Sequence, residues 1–222
     1  RARCRFEADH DALAGRVALE GDDLVDGRLA FEPEVDLYGP VLFQDGRFRR
    51  VSGYRWLRAT ECVAEISADG ATAWFGTYLP ASLVLGDPGA RDAAIHAIQA
   101  CIPHRTLLPI AVERLEIAML PTGQPFAVRA RERRRDGDTF VYDLEITAPD
   151  GTVLEHWSGL TLRAVGPAKS PTAWTVPLLT PYLQRRLDEF VPGISIGVAL
   201  QRDGARDDPA RALEVALARR SR

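Results

Sequence analysis

The stretch Gly86–Pro109, GDPGARDAAIHAIQACIPHRTLLP, decides how the rest of the chain is read. Asp87-Pro88 opens a helix, because the aspartate side chain accepts from free N–H groups and proline fits the first helical position. Ala90 to Cys101 holds no glycine, and its β-branched residues Ile95 and Ile98 are isolated, so the pattern predicts one helix that Pro103 stops. Ala93, Ala94, Ala97 and Ala100 give a lining small enough for a sheet to approach closely, while Ile95, Ile98 and Ile102 supply bulk. Asp92 and His96 are four residues apart, which places them on one face. A carboxylate and an imidazole on a helix otherwise suited to burial are costly unless both are satisfied, so chemistry is sought here first.

Working outward, the flanking segments read as sheet. Before the helix, Leu37–Val51 (LYGPVLFQDGRFRRV) carries a Tyr-Gly-Pro turn into a strand. Leu57–Ile66 alternates Ala59, Glu61, Val63, Glu65 with Thr60, Cys62, Ala64, Ile66, and Asp69-Gly70 marks a hairpin with Thr72–Tyr78. After the helix come strand-like runs at Ile110–Met119, Phe126–Arg133, Thr139–Thr147 and Thr152–Leu162. Phe140, Tyr142, Leu144 and Ile146 keep a period of two, and Asp136-Gly137 and Asp150-Gly151 mark hairpins. One helix among antiparallel strands in this order is an α+β arrangement, a long antiparallel sheet curved around a central helix: the hot-dog fold.

Three units follow from this reading. Residues 1–35 read as strands of a sheet whose beginning is missing and a polar, Pro-interrupted connector, Phe31–Asp36. Residues 36–166 read as one complete hot-dog. Residues 167–222 read as a Pro-rich linker with Trp174, then a docking tail or the start of a further domain: a short helix from Thr180-Pro181 to Val191, a strand at Ile194–Leu200 and a helix opened by Asp208-Pro209. A chain of 222 residues, 46% hydrophobic and 27% charged, can hold one sizeable core. Its net charge of -3 with scattered basic residues gives no footprint for nucleic acid. The basic cluster Arg129–Arg135 alternates with Glu132 and reads as a solvated strand end. Cys4, Cys62 and Cys101 show no CxxC spacing, which points to reduced thiols in a cytoplasmic protein rather than a disulfide frame, and no metal site is expected. No apolar run is long enough to cross a membrane.

LYGPVLFQ at Leu37–Gln44, DAAIH at Asp92–His96 and LLPI at Leu107–Ile110 resemble, in order and comparable spacing, three successive motifs of polyketide synthase dehydratase domains. LYGPVLFQDGRFRRV followed by LRATECVAEI is most similar to the dehydratases of iterative, enediyne-type synthases of antibiotic biosynthesis. The resemblance covers about Leu37–Val165. It implies removal of water from a 3-hydroxyacyl thioester delivered on the phosphopantetheine arm of an acyl carrier protein, with no cofactor bound directly. It further implies a double hot-dog, with residues 1–35 as the last strands of an incomplete first one and their connector, the first half carrying a base in an HxxxGxxxxP motif and the second an aspartate followed four residues on by Gln or His. Asp92 and His96 match the second pattern, with Asp92 as the acid and His96 orienting it or binding the hydroxyl. Tyr38, Gly39, Pro40, Gln99 and Pro109 are the substrate-binding candidates.

The base motif is not found. Four residues after His10, His96, His104 and His156 stand Ala14, Ala100, Leu108 and Leu160, none of them glycine. The expectation is therefore a dehydratase half that lacks its base and is inactive alone, paired with a copy of itself or with a missing half, alongside the other domains of its synthase. A non-catalytic hot-dog serving dimerisation or carrier-protein docking is the alternative, and a hot-dog thioesterase or cyclase fits the motif order less well. Taken without chemistry, Asp92 answers the helix dipole and His96 is a satisfied core histidine; His104 reads as a cap or surface group.

Overall fold

The small residues of the central helix let a sheet close around it. The computed structural model describes residues 27–29, 32–68, 87–118, 123–168 and 175–190. Their strands are β1 (Val51–Leu57), β2 (Glu61–Ile66), β3 (Arg105–Ala111), β4 (Arg114–Ile117), β5 (Phe126–Asp136), β6 (Thr139–Thr147) and β7 (Val153–Pro167), and their α-helices are α1 (Pro88–His96) and α2 (Val176–Phe190). All strand pairs are antiparallel, in the order β1-β2-β5-β6-β7-β3, with β4 also on β7. Ala93, Ala94 and Ala97 are fully buried, and Ile98 and Ile102 fill the space below them with Phe140, Tyr142, Leu144 and Ile146 from β6. This is the hot-dog arrangement, a curled sheet around one helix.

The expected cap is present: the Asp87 carboxylate accepts from the Gly89 and Ala90 N–H groups at 2.8 and 3.3 Å. Two ion pairs fasten the first turn of α1, Asp87 to the buried Arg50 and Arg91 to the buried Glu155 of β7, whose other oxygen accepts from the Trp157 indole at 2.9 Å. The hairpins at Asp136-Gly137 and Asp150-Gly151 also form. Gly137, at φ +54°, occupies the left-handed region that such a turn needs.

Several boundaries differ from the expectation. Leu57–Ile66 is not one strand but breaks at Arg58–Thr60 into the β1–β2 hairpin. Its backbone groups there are taken from outside the ladder: Ala59 N–H donates to Gln184, Ala59 C=O accepts from Arg185, and Thr60 C=O accepts from Glu132 N–H. The chain after α1 enters the sheet at Arg105 rather than Ile110, and passes through Val112 and Glu113 into β4, so the LLPI motif is strand. The α-helix ends at His96, and Ala97–Cys101 continues as a tighter 3₁₀ turn. The connector contains a wide helical turn, Pro33–Leu37, with Leu37 fully buried.

Beyond Gly166 the linker reading gives way to β7, which continues to Pro167, and to α2, which starts at Val176 with Pro181 inside it. This helix is seated on the same core. Leu178 is 1% exposed, and the buried Arg185 guanidinium bonds Glu132, the Ala59 carbonyl and the Tyr142 hydroxyl. The hairpin at Asp69-Gly70, the strand Thr72–Tyr78, the strands before Gly27, Trp174 and the elements after Phe190 lie outside the described residues.

Candidate active site

Asp92 sits one residue past the first turn of α1, on the side where the helix meets a cavity of about 440 Å³. The wall is largely apolar, built from Leu42, Phe43 and Phe48 before α1, Ile95 on it, and Leu107, Leu108, Pro109 and Leu162 from β3 and β7. Asp92, His96, Gln99 and Gln44 are among the polar groups on it. Asp92 faces the opening with its side chain 39% exposed, whereas the His96 side chain is 5% exposed.

Both nitrogens of His96 are engaged. Nδ1 lies 3.0 Å from Asp92 Oδ2, and Nε2 lies 3.1 Å from the hydroxyl of Tyr38, whose ring meets the imidazole edge-on. The Tyr38 hydroxyl accepts the Val51 N–H at 2.9 Å. Burial pushes this phenol up to about 12, against the pull of the Val51 and Arg50 backbone groups, so it keeps its proton. With its lone pair facing Val51 N–H, the phenol donates to His96 Nε2. The imidazole is then the Nδ1–H tautomer and donates to Asp92, a chain of Val51 N–H to Tyr38 to His96 to Asp92 Oδ2. Asp92 Oδ1 takes no hydrogen bond among the described residues.

The turn that delivers Tyr38 explains the placement of two further candidates. Val41 and Leu42 N–H groups both donate to the Leu37 carbonyl, and Gly39 N–H donates to Leu42, a tight loop in which Gly39 takes φ +93°. A side chain at that φ is strained, so glycine is required there. Gly39 and Pro40 thus shape the turn and stand outside the cavity lining; Leu37 and Tyr38 are buried in the core behind it, Tyr38 reaching the site only through His96, and Leu42 lines the cavity. Pro109 does line the cavity; it lies on the edge strand β3, opposite Leu162, where a missing N–H costs nothing.

Gln99 lines the cavity but does not reach Asp92 or His96. On a continuous α-helix it would share their face; the 3₁₀ turn redirects it. Its amide nitrogen donates to the Ile102 carbonyl at 2.9 Å and to the Arg105 carbonyl, and its oxygen accepts from Leu107 N–H at 2.9 Å. It therefore fastens the entry of β3. The cavity residues outside the predicted set are Leu42, Phe43, Gln44, Asp45, Phe48, Ile95, Leu107, Leu108 and Leu162. Leu42 to Gln44 belong to the LYGPVLFQ motif and Leu107 and Leu108 to LLPI, so the motifs pointed at them. Leu162 reaches the cavity only through the β3–β7 register, which no local pattern reveals. His104 is neither cap nor surface group: it is mostly buried against Tyr182 and Glu189 of α2. Among the described residues no group of three or more His, Cys, Asp or Glu is placed to hold a metal ion, and no helix is long and apolar enough to cross a membrane.

Comparison with known proteins adds the family. No curated protein matches the chain. Similar solved structures include a trans-acyltransferase polyketide synthase enoyl-isomerase (14% identity, 54% of this chain and 46% of that one, TM-score 0.45). Others are the dehydratase domain from the CurJ module of curacin polyketide synthase (13%, 55% and 43%, 0.44) and that of RzxB from Pseudomonas fluorescens (16%, 62% and 53%, 0.46). This chain spans about half the length of these structures. A family model, described as the polyketide synthase dehydratase N-terminal domain, matches residues 26–172, and the chain belongs to the polyketide synthase dehydratase family.

Proposed function

We propose that this chain is the acid-bearing hot-dog of an iterative, enediyne-type polyketide synthase dehydratase, acting on 3-hydroxyacyl thioesters carried by an acyl carrier protein. One observation carries the reading: on the wall of an apolar cavity, Asp92 has one oxygen held by His96 and the other without a partner among the described residues. The elimination needs a base for the proton beside the thioester carbonyl and an acid for the hydroxyl. As the C–H pair becomes the double bond and the C–O bond breaks, the proton on Asp92 Oδ1 passes to the hydroxyl, which leaves as water. The carboxylate that remains is met by the Nδ1–H of His96, itself fixed by Tyr38. His96 with both nitrogens engaged is a positioning residue, not the base.

The description of the matching family model names an N-terminal domain. The assignment to the second, C-terminal hot-dog rests instead on Asp92 and His96 fitting the aspartate pattern and on the lack of an HxxxGxxxxP histidine within the sequence. The base then comes from another hot-dog, and this chain alone is inactive. Edge strand β3 supports such pairing: its outer edge has no strand partner among the described residues, Leu108 is exposed at the cavity, and Ile110 and, just past the strand, Val112 are exposed too. The synthase is read as a homodimer, with the phosphopantetheine arm supplying substrate from its carrier domain and no cofactor of its own here. The enediyne assignment rests on the Leu37–Val51 and Leu57–Ile66 resemblance, and a cytoplasmic setting on the buried free thiols of Cys62 and Cys101.

The test is intact-mass analysis of a 3-hydroxyacyl carrier protein incubated with the parent synthase and, separately, with this chain. The proposal expects loss of one water in the first case and none in the second. No water loss by the synthase overturns the dehydratase reading, and enzymatic loss by the chain alone overturns the missing base.

A further inference from the structure

Two glutamines stand on the cavity wall, and their amides differ. Gln99 has its nitrogen and its oxygen bonded to backbone groups. Gln44 Oε1 is buried and has no hydrogen-bond partner among the described residues. Buried acceptors are almost always satisfied, so an orphan on the wall of a cavity marks a place for a ligand's donor. The segment that carries it is held in place: the Gln44 carbonyl accepts from Arg49 Nε at 3.3 Å, and the same nitrogen lies 3.1 Å from Asp45. Its neighbours Phe43 and Asp45 are exposed, so Gln44 is at the outer end of the cavity, while the buried Leu107 and Leu162 form its inner wall.

We propose that Gln44 is a substrate-binding residue whose Oε1 accepts a hydrogen bond from an amide N–H of the thioester's carrier arm. This rests on the dehydratase reading above. An amide oxygen accepts and cannot serve the thioester carbonyl, which also only accepts. On the acyl side the only donor is the 3-hydroxyl, whose oxygen is met by the Asp92 proton on the α1 side of the cavity. The remaining donors of such a substrate lie on the arm, and at the outer end of an apolar cavity Gln44 is placed to meet them. Gln44 closes the LYGPVLFQ motif, so one short segment delivers both the tyrosine that fixes His96 and the acceptor that seats the arm.

The experiment compares two ligands with the same 3-hydroxyacyl chain, an N-acetylcysteamine thioester with one amide and a simple alkyl thioester with none. Binding to this chain is read from the amide and imidazole resonances of Asp92 and His96. The proposal expects about tenfold tighter binding of the amide ligand, the scale of a buried polar partner. Gln44→Leu, similar in volume, removes that preference, and Gln44→Glu, which keeps an acceptor, preserves it. Equal loss for both ligands in Gln44→Leu, or no loss for either, overturns the role of Gln44 and leaves the dehydratase reading standing. If neither ligand disturbs Asp92 and His96 in the unaltered chain, the dehydratase reading falls and this proposal with it.

Discussion

Tyr38→Phe removes one oxygen and with it the middle of the hydrogen-bonded chain. The phenol is 4% exposed and its hydroxyl makes two bonds, accepting from Val51 N–H at 2.9 Å and donating to His96 Nε2 at 3.1 Å. Phenylalanine fills the same volume, so no cavity term enters. The loss is a buried N–H left bare and an imidazole nitrogen without its donor, together about 2 kcal/mol. That is a sizeable part of the roughly 5–15 kcal/mol that holds a domain. Urea unfolding of this chain reads the stability. Nitrogen chemical shifts of His96 read the second consequence, since without the phenol the Nδ1–H tautomer loses its support and the Nε2–H form gains population. In the intact synthase the same substitution lowers kcat with little change in KM, because the acid is misaligned while the cavity is unchanged. Unchanged stability together with an unchanged His96 spectrum would refute the proton assignment.

Other expectations follow from neighbouring parts of the molecule. Arg185→Ala leaves Glu132 buried without its guanidinium and should cost about 3–5 kcal/mol by urea unfolding, whereas the paired change Arg185→Met with Glu132→Leu should recover most of it. His104, mostly buried between Tyr182 and Glu189 of α2 and near Arg105, Arg185 and Arg186, is lowered from 6.5 to about 4, first by burial and then by the arginines, against the pull of Glu189. Between those pH values the unfolded chain takes up the proton and the folded one does not. Stability therefore falls as pH drops from about 6.5 to 4, by about 2 kcal/mol after allowance for partial solvent screening, and His104→Asn should flatten that slope in pH-dependent unfolding. Ile110→Lys on the open edge of β3 should shift sedimentation toward the monomer without altering the fold seen by circular dichroism.

The helix and its acid–histidine pair were legible because each rests on local chemistry: a cap, a stop and a four-residue spacing. The strands of β5 to β7 were legible for the same reason, in Phe140 to Ile146 and in two Asp-Gly turns. What stayed hidden was set by partners distant in sequence. The break at Arg58–Thr60 depends on Gln184 and Arg185, more than a hundred residues away, and α2 reads as a tail until Arg185 is seen inside the core. Gln99 followed the helical period on paper, but the change from α to 3₁₀ winding after His96 turned its amide to the backbone. Tyr38 read as a neighbour of the site; its hydroxyl's bond to His96 required the fold to bring together residues 58 apart.

The central claim is that Asp92 protonates the leaving hydroxyl, and single-turnover dehydration by the parent synthase tests it most directly. Asp92→Asn keeps the shape and the His96 contact but removes the proton donor, so water loss from a 3-hydroxyacyl carrier protein should slow by about 10²-fold or more, with carrier binding unchanged. Dehydration at the unaltered rate in Asp92→Asn would contradict it.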